Sequence, residues 1–232
     1  MRIAIVGSLY GHLSDVYRTF GKLVHDTEIP IDWVLSTGNF GVWPDPLRAD
    51  RASRENPGEF LDYLVGKKRL PIPTIMVAGK HEDHLWIEKM VRRGDGELIE
   101  NLHFLVNGNH TLLENLDTSL KVVGIGGTYS PEPTRGNYTQ SDVAQACTAG
   151  PMDIFLSHEA PDGQRFEELT SQAKGLNKVC FATRPRLLIH GKYSKTLFYK
   201  TTQTLTNAIC VGNRQHVILD IDKDSIKVVK CL

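Results

Sequence analysis

Gly79-Lys80-His81-Glu82-Asp83 follows a β-branched apolar run, Pro73-Thr74-Ile75-Met76-Val77-Ala78, and precedes a helical pattern, Leu85-Trp86-Ile87-Glu88-Lys89-Met90-Val91. That order predicts a strand, a tight glycine turn with a histidine at the strand's carboxyl end, and then a helix. In open α/β sheets this edge is where ligands bind. The same grammar recurs upstream. Residues 2–6 read as a buried-type strand ended by Gly7. Leu13, Val16, Phe20 and Leu23/Val24 follow at helical spacing, with Ser14-Asp15 as capping material. Residues 32–36 read as a second strand running into Thr37-Gly38-Asn39-Phe40-Gly41, and residues 58–65 as a helix. Three successive β-loop-α units predict parallel strands joined by crossovers.

Beyond this point the pattern changes. Residues 102–105, 110–115, 120–125, 152–156 and 186–189 read as short strands, and residues 141–147 and 166–173 as helices. The remainder, from residue 196 onward, is strand-like. Two mixed β-sheets packed face to face, with helices outside, would bury a core from this layout. The expectation is an α/β protein, a four-layer α-β-β-α sandwich, in a single domain over residues 1–232. No Ser/Gly or Pro-rich linker, charge block or internal repeat divides the chain.

Lys plus Arg number 27 and Asp plus Glu number 27, which argues against a protein that binds nucleic acid through a global field while leaving a local basic patch open. No apolar run reaches the length of a membrane span, so no membrane role is expected. Cys147, Cys180, Cys210 and Cys231 are scattered without a CxxC pair. They read as reduced thiols of a cytoplasmic protein rather than disulfides or a zinc site.

Five predicted strands end in turns that carry ligand-type chemistry: Gly7-Ser8-Leu9-Tyr10, Gly38-Asn39, Gly79-Lys80-His81-Glu82, Ser157-His158 and Gly191-Lys192-Tyr193-Ser194. If these strands lie in one layer, their tips converge on one edge. In this order they resemble the calcineurin-like metallophosphoesterase family, which places G-D-x-H, G-D, G-N-H-[ED], a lone H and G-H-x-H at five such strand ends. Gly11, Gly41-Val42-Trp43-Pro44 and Glu159-Ala160-Pro161 match as flanking residues. Asn39-Phe40 also resembles the degenerate amino-terminal domain of proteins related to the lariat-debranching enzyme, which act with RNA-processing machinery. The Gly41-Val42-Trp43-Pro44 run resembles small single-domain bacterial members instead.

The resemblance implies seven metal-ligand positions, here Ser8, Tyr10, Asn39, Lys80, His158, Lys192 and Ser194, of which His158 alone keeps the family identity. His81 matches the histidine that acts on the leaving group. Both family carboxylates are missing, and an ammonium has no lone pair to offer a metal. No cofactor is therefore expected, and no metal site. Two lysines in place of two carboxylates and two divalent cations preserve a formal sum of plus two. Lys80 and Lys192 could then receive a phosphate, with Tyr10, Ser8, Asn39 and Ser194 as neutral hydrogen-bonding groups and His158 as an imidazole. The functional expectation is a pseudoenzyme that binds a phosphate-containing small molecule, a nucleotide, RNA or a protein partner without metal-dependent hydrolysis. The alternative is a phosphodiesterase of non-standard mechanism using His81 and His158, in which case manganese, iron or zinc would return as cofactor. Among other residues, His84 could line the pocket, and Arg135 and Arg184 could reach a second phosphate, with surface positions the commoner case for each.

Overall fold

The computed structural model describes residues 1–231 apart from Ala52, Asp95, Glu167, Glu168 and Gln172. Along the chain lie β1 (Arg2–Val6), α1 (Leu13–Thr27), β2 (Trp33–Ser36), α2 (Phe60–Leu64), β3 (Thr74–Met76), α3 (His84–Val91), β4 (Glu97–Ile99) and β5 (Leu102–Phe104). Then come β6 (His110–Glu114), β7 (Ser119–Ile125), α4 (Gln140–Cys147), β8 (Ile154–Ser157), β9 (Arg165–Phe166), β10 (Leu169–Thr170) and α5 (Leu176–Thr183). The last strands are β11 (Leu187–His190), β12 (Leu197–Lys200), β13 (Asn207–Cys210), β14 (His216–Ile221) and β15 (Ile226–Cys231).

The first sheet runs β15-β14-β1-β2-β3-β5-β4 and the second β12-β13-β11-β8-β7-β6. Both are mixed. β1, β2, β3 and β5 pair in parallel, with β14 antiparallel to β1. β7, β8, β11 and β13 pair in parallel, with β6 and β12 antiparallel at the edges. Side-chain alternation along each strand assigns the layers. Ile3 and Ile5 of β1, with Leu35 and Ile75, face Val122, Ile154, Leu156 and Ile189 across the gap between the sheets. Their neighbours Ala4 and Val6 face outward onto Leu13, Val16, Tyr17 and Phe20 of α1 and Phe60 of α2. On the far side, Val123, Phe155 and Leu188 pack against Val143 of α4 and Leu176 and Val179 of α5. The result is the α-β-β-α sandwich with two mixed sheets that the sequence pattern predicts.

Three local expectations are corrected. The five site-bearing strand ends do not lie in one layer, because β1, β2 and β3 belong to the first sheet and β8 and β11 to the second. Within the expected helix at 166–173, residues 167, 168 and 172 lie outside the described residues. In the described remainder, β9 pairs antiparallel with β10 and Ser171 N–H closes back on the Gln164 carbonyl at 2.8 Å. The helix of this region is α5, which opens at Gly175 (φ 86) and buries Leu176, Val179, Cys180 and Thr183 at helical spacing. Finally, Ser14 does not cap α1. Its N–H donates to Glu59 Oε2 at 3.0 Å and its hydroxyl binds the same oxygen, so a carboxylate from the start of α2 closes the α1 amino terminus.

Candidate functional site

Although they arise from two sheets, the strand tips meet. His158 Nδ1 lies 2.7 Å from the Thr37 carbonyl, which ties the end of β8 to the end of β2. Gly191, after β11, comes so close to Thr37 that a Cβ would lie 2.2 Å from Thr37 Oγ1. Arg214 N–H donates to the Ser8 carbonyl at 3.0 Å, bringing the loop before β14 against the end of β1. Close backbone approach across the inter-sheet gap is what the glycines at these turns permit.

Asn39 is the junction of the first sheet's three tips. Its side chain is buried, and its Oδ1 accepts the N–H groups of Lys80 at 2.6 Å and His81 at 3.0 Å. Its Nδ2 donates to the buried Ser8 hydroxyl at 3.2 Å, and its carbonyl accepts the N–H groups of Leu9 and Tyr10. The backbone here is left-handed, with φ 53° at Asn39 and 50° at Tyr10. Asparagine tolerates that region better than most residues. Gly79 follows from the same geometry, since a Cβ there would sit 2.0 Å from Asn39 N.

Glu82 locks the turn from beneath. Its Oε1 accepts Phe40 N–H and its Oε2 accepts Gly79 N–H, each at 2.8 Å. Burial pushes its carboxyl up to about 7, against the two backbone donors that favour the charged form. Asp83 caps α3 by accepting Trp86 N–H at 3.1 Å, with Arg48 Nη1 3.1 Å from its other oxygen.

The two histidines differ. His81 is partly exposed, and its Nδ1 lies 2.6 Å from Asp50 Oδ2. Burial raises the Asp50 carboxyl, but hydrogen bonds from His81 and Ser53 outweigh it and leave it below its ordinary value. The Tyr10 ring stands 5.7 Å from the His81 ring, tilted. His158 is fully buried, and burial holds its imidazole down at about 4 against the bond to Thr37, so it is neutral at pH 7. His84 is half-buried under the turn, depressed by burial and partly restored by a bond to the Lys80 carbonyl.

The lysines also part company. Lys192 reaches the buried Glu159 and forms an ion pair with it, from a left-handed backbone position with φ 73°. Lys80 is exposed and pairs with no carboxylate among the described residues. Ser194 is exposed at the rim and bonds with none of them. The sum of plus two expected from the lysines therefore changes. Glu159 offsets Lys192, and Asp50 stands beside His81. Neither carboxylate was singled out in the sequence. Asp50 lies in an aperiodic loop, and Glu159 was visible only as a flanking match.

This donor set does not suit a pair of divalent ions. The Asn39 oxygen is already held by two N–H groups, Ser8 is tied to Asn39, and Lys80 and Lys192 offer no lone pair. Among the described residues, no three His, Cys, Asp or Glu side chains are grouped as metal ligands would be.

No protein-family model matches the chain. The lariat debranching enzyme of Arabidopsis thaliana is 28% identical over 188 residues, covering 70% of this chain and 43% of that protein. Zinc finger CCCH domain-containing protein 64 of the same plant is 31% identical over 175 residues, covering 70% of this chain and 27% of that protein. The chain thus spans less than half the length of these two relatives. A solved structure from Thermus thermophilus superposes with a TM-score of 0.59 at 15% identity, covering 98% of this chain and 97% of that one. Together with the two-sheet architecture and the five strand-end turns, these similarities show that the chain has the calcineurin-like metallophosphoesterase fold.

Proposed function

We propose that this chain is a non-catalytic form of the metallophosphoesterase fold that binds a phosphate-containing ligand, RNA foremost, at its rebuilt edge without a metal cofactor. The observation that carries this reading is the self-sufficiency of the former ligand positions. Asn39 spends its oxygen on Lys80 and His81, and Glu159 compensates Lys192, so the edge is satisfied by its own bonds. Exposed cations remain available there, alongside the exposed Glu55. Lys80 is exposed on the turn, Arg51 and Arg54 are exposed beside the Asp50 that holds His81, and Arg214 is exposed on the loop bonded to Ser8. Such a rim suits a phosphate chain better than a single buried phosphate. The relatives named for lariat debranching favour RNA as that chain.

Two measurements test the proposal. Metal analysis of protein purified without chelator should find no stoichiometric manganese, iron or zinc, and an aryl phosphodiester should not be hydrolysed. A short oligoribonucleotide should bind with steep salt dependence and lose affinity in Lys80→Ala. Stoichiometric metal with chelator-sensitive hydrolysis would overturn the proposal, as would salt-independent or absent binding.

One observation favours the second reading. Asp50 orients His81 through Nδ1, leaving Nε2 as a proton-exchanging group of the kind a hydrolase uses. His158 does not complement it as an acid, since burial keeps its imidazole neutral at pH 7 and its one N–H is donated to the Thr37 carbonyl. Under this reading, slow hydrolysis would vanish in His81→Ala and persist in EDTA.

A further inference from the structure

We infer that the cavity between α3 and the 128–138 loop is a subsite for a single nucleobase. The inference rests on the reading above, that the neighbouring edge takes a phosphate-containing chain, and adds where a base of that chain would go.

The cavity holds about 260 Å³. That is below the roughly 300 Å³ at which pockets for drug-sized ligands begin, so its occupant is one ring system. Ile87, Val91, Phe104 and Val106 supply apolar walls, of which Phe104 is the aromatic one. Arg135 Nε–H donates to Glu88 Oε2 at 3.1 Å, which fixes the two side chains beside each other. The Nη groups of Arg135 and the Oε1 of Glu88 then supply donors and an acceptor for the mixed edge of a base. The charges lining the cavity, Glu88 and Asp142 against Arg92 and Arg135, cancel. A neutral ring is therefore favoured there over a phosphate, which the exposed Lys80 would attract instead.

The position agrees with this division. Ala78 lines the cavity two residues before Lys80. His84 also lines it, with its ring bonded to the Lys80 carbonyl and packed so closely under Gly136 that a Cβ there would lie 2.3 Å from Nε2. Base and phosphate sites are thus separated by one turn of chain. Beyond Arg135 the cavity adjoins a wider one of about 640 Å³, which leaves room for a ribose and a continuing strand.

The test uses the full chain with adenosine, guanosine, cytidine and uridine, none of which carries a phosphate. At least one should bind at about millimolar affinity, the strength a ligand of this size supports. Its base protons should show nuclear Overhauser contacts to the methyl groups of Ile87, Val91 and Val106. Val91→Phe, which fills the cavity, should weaken binding by about tenfold or more, while Lys223→Ala, in the exposed turn between β14 and β15, changes it by less than about twofold. The Overhauser measurement is made on the unaltered protein and so stands even if Val91→Phe misfolds. No contact to these methyl groups from any nucleoside, or unchanged binding by a folded Val91→Phe, overturns the inference. The edge reading fails separately, through oligoribonucleotide binding that is indifferent to Lys80→Ala, and the nucleoside result does not depend on it.

Discussion

Replacing Asn39 by alanine removes the acceptor for two backbone donors, Lys80 N–H at 2.6 Å and His81 N–H at 3.0 Å. A buried donor left without a partner costs about 1–3 kcal/mol. Water can reach the exposed Lys80 more easily, so we assign about 1 kcal/mol there and about 2 kcal/mol at His81. Alanine at φ 53° adds roughly 1 kcal/mol of left-handed strain. The expected loss is about 4 kcal/mol, or on the order of 10 °C in Tm for a chain of this size. Two companions divide that sum. Asn39→Gly also lacks the side chain but relieves the strain, so it should be more stable than Asn39→Ala by about 1 kcal/mol. Asn39→Asp keeps the oxygen that accepts both N–H groups, and the Ser8 hydroxyl can turn to donate to the second oxygen, so it should stay within about 1 kcal/mol of the parent at neutral pH. Urea titrations followed by tryptophan fluorescence read all three. Asn39→Ala unfolding within about 1 kcal/mol of the parent, or Asn39→Asp proving as damaging as Asn39→Ala, would refute the assignment of Asn39 as the junction of the edge.

Lys192→Ala strands the buried Glu159 carboxylate and should destabilise by about 1–2 kcal/mol, discounted because Lys192 is itself part-exposed, whereas Lys192→Ala with Glu159→Gln should recover most of it; equal losses in single and double variants would count against the pair. His158 and His190, both held at about 4, contribute stability that is complete above the ordinary value of 6.5 and is lost as pH falls towards 4. Glu82, raised to about 7, acts in the opposite sense, its contribution being present below 4.5 and lost as pH rises through 7. The histidines prevail, so urea midpoints should fall between pH 7.5 and 5 by the equivalent of about 2 kcal/mol, and Glu82→Gln should steepen that fall; a flat profile sinks the argument. His216 is buried edge-on to Phe20 with no hydrogen-bond partner for either ring nitrogen among the described residues, so His216→Phe should raise Tm, and a lower Tm would show that the ring has a polar role.

The fold was legible because its signals are local and periodic. The run into Gly79, the run into Gly7 and the helical spacing from Leu13 each specify one element, and parallel β-loop-α units leave few ways to connect them. The site was legible only as a set of positions. Ser8, Asn39 and the Lys80-His81 turn do converge, but what each does depends on partners from loops that carry no periodicity. The roles of Asp50, Glu59 and Glu159 emerge only once the chain is folded: they orient His81, close the amino terminus of α1 and pair with Lys192. The region after residue 160 misled for a related reason. The spacing of Leu176, Val179, Cys180 and Thr183 is helical, but Asn177 and Thr183, polar residues on the buried face of so short a stretch, weaken its contrast.

The backbone of the edge says more about its history of constraint than the side chains do. Tyr10, Asn39 and Lys192 all hold left-handed φ, and for residues other than glycine that conformation costs roughly 1–2 kcal/mol each. Strain of this kind persists only where the surroundings over-determine it. Here the surroundings are identifiable. The Asn39 carbonyl gathers Leu9 and Tyr10 N–H groups, Asn39 Oδ1 gathers the next turn, and Glu82 joins Phe40 to Gly79 from below. Lys192 is held by Glu159. Hydrogen bonds and one ion pair thus keep three strained turns in register. An edge stabilised in this way can exchange its outward groups without losing its shape.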